Sequence, residues 1–169
     1  YYCAMRMTPQ GIFKGVEIHN DAVSDQLAAQ MTDTGFFVGE RYAAAGYRGY
    51  YDVDFIAGRS GQLYVTESNV RRTGATHVYN IAVKLFGKDF MYATYTLSNN
   101  NYALPRSRNF SFTDTLKLLQ PILYQSATRE GLIIASENLL KQHQLAYIIF
   151  AKTRKRALEL ETRLDQLLQ

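Results

Sequence analysis

Apolar and polar positions alternate along much of this 169-residue chain, and the changes of period mark its elements. Residues 2–7 read as extended, Thr8-Pro9-Gln10-Gly11 as a turn, and residues 12–18 as a second strand that completes a hairpin. Helical spacing is predicted over 25–34, stopped at Gly35, and again over the Ala-rich 38–45, stopped at Gly46. The best-patterned strand pair follows, 50–57 and 62–69, around the turn Gly58-Arg59-Ser60-Gly61. Aromatic and β-branched residues fill both strands. A loop over 70–74 leads into a helix over 75–86, closed by Gly87. Residues 91–97 are predicted as a strand, Ser98-Asn99-Asn100-Asn101 as a polar loop, and 105–109 as irregular. Residues 113–124 are helical in pattern, with Pro121 near the end or at a kink. Residues 131–136 and 145–152 form a second predicted hairpin, joined by 137–144. The tail is a helix with Ala157, Leu160, Leu164, Leu167 and Leu168 on one stripe, and with Glu159 and Arg163 placed to pair on the wet side. The polar stretch 98–111 suggests a division into subdomains 1–97 and 98–169.

Composition narrows the class. Apolar residues make up 47% and charged residues 20%, near globular averages, which argues against a disordered chain. The length suits one domain with a small appendage. A single cysteine, Cys3, excludes an internal disulfide and points to a reducing, cytoplasmic setting. Apolar runs such as 146–151 fall far short of the ~18–20 residues that span a bilayer, and no signal-peptide pattern opens the chain. No membrane partner is expected. The net charge of +4 suits a protein that handles phosphate without demanding nucleic acid. The basic run Lys152-Thr153-Arg154-Lys155-Arg156 reads as a solvated helix start, because no aromatic stacking platform lies beside it. Nucleic acid is therefore not an expected partner. His19, His77 and His143 show no metal-ligand spacing, and Cys3 reads as a small apolar residue. The chain opens on strand-like residues without an initiator Met, as the back half of a longer protein would.

The candidate chemistry lies in the central strand pair. Alternation puts Asp52, Asp54 and Ile56 on one face of the first strand, and Leu63, Val65, Glu67 and Asn69 on one face of the second. The tight turn makes the strands antiparallel neighbours, so Asp54 is expected near Glu67. Two carboxylates and an amide supply hard oxygen ligands of the kind Mg²⁺ takes, the rest of its shell being water and substrate phosphate. Arg71 and Arg72 follow at the strand's exit, suited to gripping phosphate. Thr73 and Gly74 then open a helix whose N-terminus favours anions. Continued alternation sends Arg71 toward the metal face and Arg72 away from it. Acidic residues in a hairpin are most often its solvated face. Here they coincide with Asn69, paired arginines and a helix start, which makes the group a candidate site. The residues alone also allow a hydrolase using Asp54 and Glu67 as acid and base, although flanking arginines disfavour the raised carboxyl pKa such an acid needs.

The runs Gly46-Tyr47-Arg48-Gly49, Asp52-Val53-Asp54-Phe55-Ile56 and Glu67-Ser68-Asn69-Val70-Arg71-Arg72-Thr73-Gly74 resemble the C-terminal half of an ATP-grasp domain. The resemblance covers roughly residues 2–90. It implies an α+β fold: an antiparallel sheet with helices, followed by a small α+β C-terminal subdomain. It implies that Asp54, Glu67 and Asn69 hold Mg²⁺ (or Mn²⁺) bridging the phosphates of ATP, and that Asn69 and Arg71 contact the nucleotide, Arg71 as the catalytic residue. The implied reaction joins a small carboxylate to an amine through an acyl-phosphate. Within the superfamily, Glu67-to-Thr76 and the C-terminal hairpin and helix over 131–169 are most similar to peptide ligases of the pheganomycin type. A glycine-rich loop, phosphate-reaching lysines and an adenine-binding linker are not recognisable. The expected partner is therefore an N-terminal lobe of the same protein, without which this chain is expected to be inactive; a homodimer is compatible. The alternative is an ATP-grasp-derived module that binds a partner, or a ligand of the basic patch, without catalysis.

Overall fold

The computed structural model describes all of residues 1–169. The fold is α+β, built on antiparallel sheets. Strands β1 (Ala4–Met7), β2 (Phe13–Ile18), β5 (Tyr95–Ala103), β6 (Gly131–Ser136) and β7 (Gln144–Ala151) form one five-stranded sheet in the order β1-β2-β5-β7-β6. Strands β3 (Asp52–Ala57) and β4 (Leu63–Asn69) form a separate two-stranded sheet. The helices are α1 (Asp25–Ala44), α2 (Thr76–Phe86), the one-turn α3 (Phe90–Ala93), α4 (Phe112–Leu119) and α5 (Arg154–Leu168). No helix is long and apolar enough to cross a membrane.

The alternation of β7 explains why the large sheet is covered on both faces. Leu145, Tyr147, Ile149 and Ala151 join the cluster that packs against α4 and α5. Ile148 and Phe150 join the opposite cluster, with Val16 and Ile18 of β2, Val78 and Ala82 of α2, and Phe90 of α3. The predicted stripe of the tail helix is buried at Ala157, Leu160, Leu164 and Leu168. On its wet side Glu159 pairs with Arg156 at 3.3 Å, while Arg163 hydrogen-bonds Gln166, so the expected Glu159–Arg163 pair does not form.

Three expectations change. The two helices predicted over 25–34 and 38–45 are one, α1, running through Gly35 and Gly39. Tyr51 lies across this helix and donates its hydroxyl to the Gly35 carbonyl at 2.9 Å. A Cβ on Gly39 would sit 2.1 Å from that hydroxyl, so this glycine serves a close approach. The second change is at 98–101, which lies inside β5 rather than in a loop. Ser98 is fully buried: its Oγ accepts from the Val16 N–H at 3.0 Å and its carbonyl accepts from Arg6 at 2.8 Å. A register shift between Asn99 and Tyr102 lets the polar run stay in the strand. The boundary placed at 97/98 falls within this central strand. In the third change, residues 91–93 belong to α3, and the strand begins at Tyr95.

A polar cluster ties the ends of the chain together. Arg6, 9% exposed, donates to both carboxylate oxygens of Glu161 on α5, at 2.8 and 2.7 Å. Tyr147 donates to the same carboxylate. Glu17 accepts from Tyr95 and from Arg154, the latter at 3.1 Å. Burial alone would raise the Glu17 carboxyl, but these donors outweigh it and hold the group below its ordinary range. Arg156 pairs with Glu130 at 2.7 Å, so Arg154 and Arg156 of the basic run are taken up in ion pairs.

Candidate functional site

Asp54 stands directly opposite Glu67 across the β3–β4 pair, and Asp52 opposite Asn69. Directly opposed residues share a face, so Asp52, Asp54, Glu67 and Asn69 project to the same side. The register then shifts: Phe55 opposes Val65, leaving Thr66 as an extra residue. Val65 and Leu63 therefore stand opposite Phe55 and Ala57, not on the face of Glu67 and Asn69 as strict alternation required. The Thr66 hydroxyl donates to the Asp54 carbonyl at 3.2 Å at this bulge.

The acidic face opens into a groove of about 930 Å³. Met5, Met7, Phe13 and Val16 of the β1–β2 hairpin line it, with Leu27 and Met31 of α1. Asp52, Asp54, Glu67, Asn69 and Arg71 form its polar part, and Thr73 to Thr76 at the start of α2 border it. The Asn69 amide approaches an Asp54 carboxylate oxygen at 3.5 Å. Burial raises the Asp54 carboxyl above its ordinary value; the charges of Asp52 and Glu67 add to the rise, and Arg71 opposes it. None of the molecule's ion pairs includes Asp52, Asp54 or Glu67.

The two arginines part company. Arg71 lines the groove and bears on Asp54. The Arg72 guanidinium sits 5.1 Å from the centroid of the Tyr50 ring, in cation–π geometry. Cys3 also borders the groove, and its thiol is pushed up to about 12 by burial and by the nearby Asp54 and Asp52, so it stays protonated. Burial lowers the His77 imidazole, which does not line the groove.

No three Asp, Glu, His or Cys side chains converge as the shell of one metal ion. The donor set at Asp54, Glu67 and Asn69 is two carboxylates and one amide. It fits magnesium, which takes one or two carboxylates from protein and fills its octahedron with water and phosphate oxygens. Asp52 is the residue that sequence reasoning placed on the right face and gave no role. Its parity with Asp54 was the available signal.

Comparison adds one family. The model of the PGM1 C-terminal domain matches residues 120–164. That segment begins just after α4 and holds β6, β7 and most of α5, and it contains Glu161, the partner of Arg6. The acidic face and the groove lie outside it. No curated protein matches the chain.

Proposed function

We propose that this chain is the metal- and phosphate-binding half of an ATP-dependent carboxylate–amine ligase of the ATP-grasp type. The observation that carries the reading is the register that sets Asp54 against Glu67, with Asn69 beside them and Arg71 in the same groove. The family match over 120–164 falls where the chain resembles the C-terminal domain of pheganomycin-type peptide ligases, and it supports that finer assignment. Exposed apolar side chains on α1 and the β3–β4 hairpin (Phe36, Phe37, Ile56, Tyr64, Val65) offer a surface that a nucleotide-clamping lobe would cover.

In this reading Asp54, Glu67 and Asn69 hold magnesium, which neutralises phosphate charge when bound. Arg71 reaches the transferring phosphoryl group with two donors and stabilises the charge that develops there. A substrate carboxylate oxygen attacks the γ-phosphorus and ADP leaves. The neutral amine nitrogen then attacks the acyl carbon, the C–O bond to phosphate breaks, inorganic phosphate departs, and the nitrogen loses one proton to the departing phosphate. The apolar groove excludes water that would otherwise hydrolyse the acyl-phosphate. Arg72, stacked on Tyr50, shapes the strand exit rather than touching phosphate.

The test uses the protein with its upstream lobe. ADP release from Mg-ATP should depend on both a carboxylate and an amine, and Glu67→Gln should abolish it while preserving the fold. Amine-independent turnover, or full activity of Glu67→Gln, would overturn the ligase reading. Failure of the wild-type protein to bind Mn²⁺ or ATP would favour the non-catalytic module.

A further inference from the structure

The carboxylates lining the groove do not act as one group. Asp54 and Glu67 oppose each other, and Asp54 also has the Asn69 amide and the field of Arg71. Asp52, two residues earlier on the same face, has no such partner. Its Oδ1 is buried and makes no hydrogen bond, and no arginine, lysine or histidine forms an ion pair with it. An unpartnered buried oxygen of this kind is disfavoured unless water or a ligand completes it.

The geometry decides what that ligand is. Asp52, Asp54 and Glu67 do not converge as the three-carboxylate shell of one ion. A second hydrated magnesium suits the position poorly. Magnesium gives up water reluctantly and wants several oxygens, while Asp52 offers a single carboxylate in a largely apolar groove that Tyr1, Tyr2, Tyr50 and Tyr51 also line. A primary ammonium needs one carboxylate oxygen for a charge-assisted hydrogen bond, and it tolerates aromatic and aliphatic walls.

We propose that Asp52 binds the protonated amine of the acceptor substrate, in the same groove as the phosphate-handling face; the ammonium gives up a proton to water before its nitrogen attacks. Naming that amine as the acceptor rests on the ligase reading. Two residues of strand separate Asp52 from Asp54, so the amine is held about 7 Å along the strand from the metal end.

Benzylammonium and its neutral isostere benzyl alcohol are titrated into the chain and followed by amide chemical shifts. Wild type should bind benzylammonium at least tenfold more tightly, with shifts centred on residues 50–54. Asp52→Asn should equalise the two probes, and Asp52→Glu, which keeps the charge, should retain the preference. Mn²⁺ broadening is read on the same samples, and Asp52→Asn should keep it at Glu67 and Asn69. Equal affinities in wild type, or a preference that survives Asp52→Asn, would overturn the proposal. So would loss of Mn²⁺ broadening in Asp52→Asn, which would put Asp52 in the metal shell. An ammonium preference in a wild-type chain that shows no Mn²⁺ broadening would uphold the amine site and count against the ligase reading alone.

Discussion

Asp54 is held in a state that folding alone disfavours. Its carboxyl is raised by burial, then by Asp52 and Glu67, and Arg71 only partly relieves it. A carboxyl whose folded pKa lies above its unfolded value gains stability as pH falls through the folded pKa and loses it above. Asp54→Asn fixes the neutral form. It should raise the Tm of the metal-free chain at pH 7 and flatten the pH dependence of Tm just above the ordinary carboxylate range. Wild type should gain Tm in Mn²⁺ and the variant should not, since a ligand stabilises only the state that binds it. Thermal melts in EDTA and in Mn²⁺ check both signs. A lower metal-free Tm in the variant would place Asp54 in a satisfied structural role. In the ligase reading, the neighbouring arginines should separate in kinetics on a protein that carries the proposed N-terminal lobe. Arg71→Ala should lower kcat and kcat/KM together by roughly 10²–10³-fold, the scale of one lost transition-state donor. Arg72→Ala removes a ring contact and should act through KM or Tm. A large kcat loss confined to Arg72→Ala would exchange their roles.

At the scale of elements, the acidic face was legible in the sequence because it lies on one side of the bulge. From Glu67 outward, alternation holds, and Glu67 and Asn69 meet Asp54 and Asp52. Between Thr66 and the turn the extra residue inverts the parity, and Leu63 and Val65 escape the pattern. Helix α1 was divided in two for a different reason: Gly35 looks like a stop, although Tyr51 lies across the helix there and at Gly39. The two glycines should therefore respond oppositely to alanine. At Gly35 a Cβ meets nothing within 4 Å, and Gly35→Ala should stabilise by about 0.5–1 kcal/mol through helix propensity. At Gly39 the Cβ collides with the Tyr51 hydroxyl, and Gly39→Ala should destabilise by about 1–3 kcal/mol, as overpacking does. Urea midpoints at constant m-value measure both. Recovery of the Gly39→Ala loss in Gly39→Ala/Tyr51→Phe would assign it to that contact.

Across the whole molecule, the large sheet binds the first strand to the last helix through groups that no local pattern reveals. Arg6 and Glu161 are 155 positions apart, and each alone reads as an ordinary surface charge. Together they form a largely buried pair in which one guanidinium nitrogen spans both carboxylate oxygens, and Tyr147 and Ser98 complete its hydrogen bonds. The pair crosses the division at 97/98, as does β5, so the segment matched by the PGM1 C-terminal domain is anchored to the hairpin that lines the groove. Removing one partner leaves the other charged and buried, a loss of about 3–5 kcal/mol. Arg6→Met and Glu161→Gln should each cost on that order, and the double variant should cost clearly less than the two combined. Glu17 adds a pH signature to the same cluster. Its folded pKa is depressed, so its contribution is present above the ordinary carboxylate value of about 4.3 and is lost as pH falls through the folded pKa. Glu17→Gln should therefore destabilise at pH 7 and converge with wild type in acid, when unfolding is followed by circular dichroism from pH 7 to pH 2. Amide exchange locates the effect: both Arg6→Met and Glu161→Gln should accelerate exchange in β1 and β2 before β6, because the pair holds the groove edge of the sheet. Uniform acceleration through all five strands would mean that the cluster stabilises the sheet as a whole and does not position the groove.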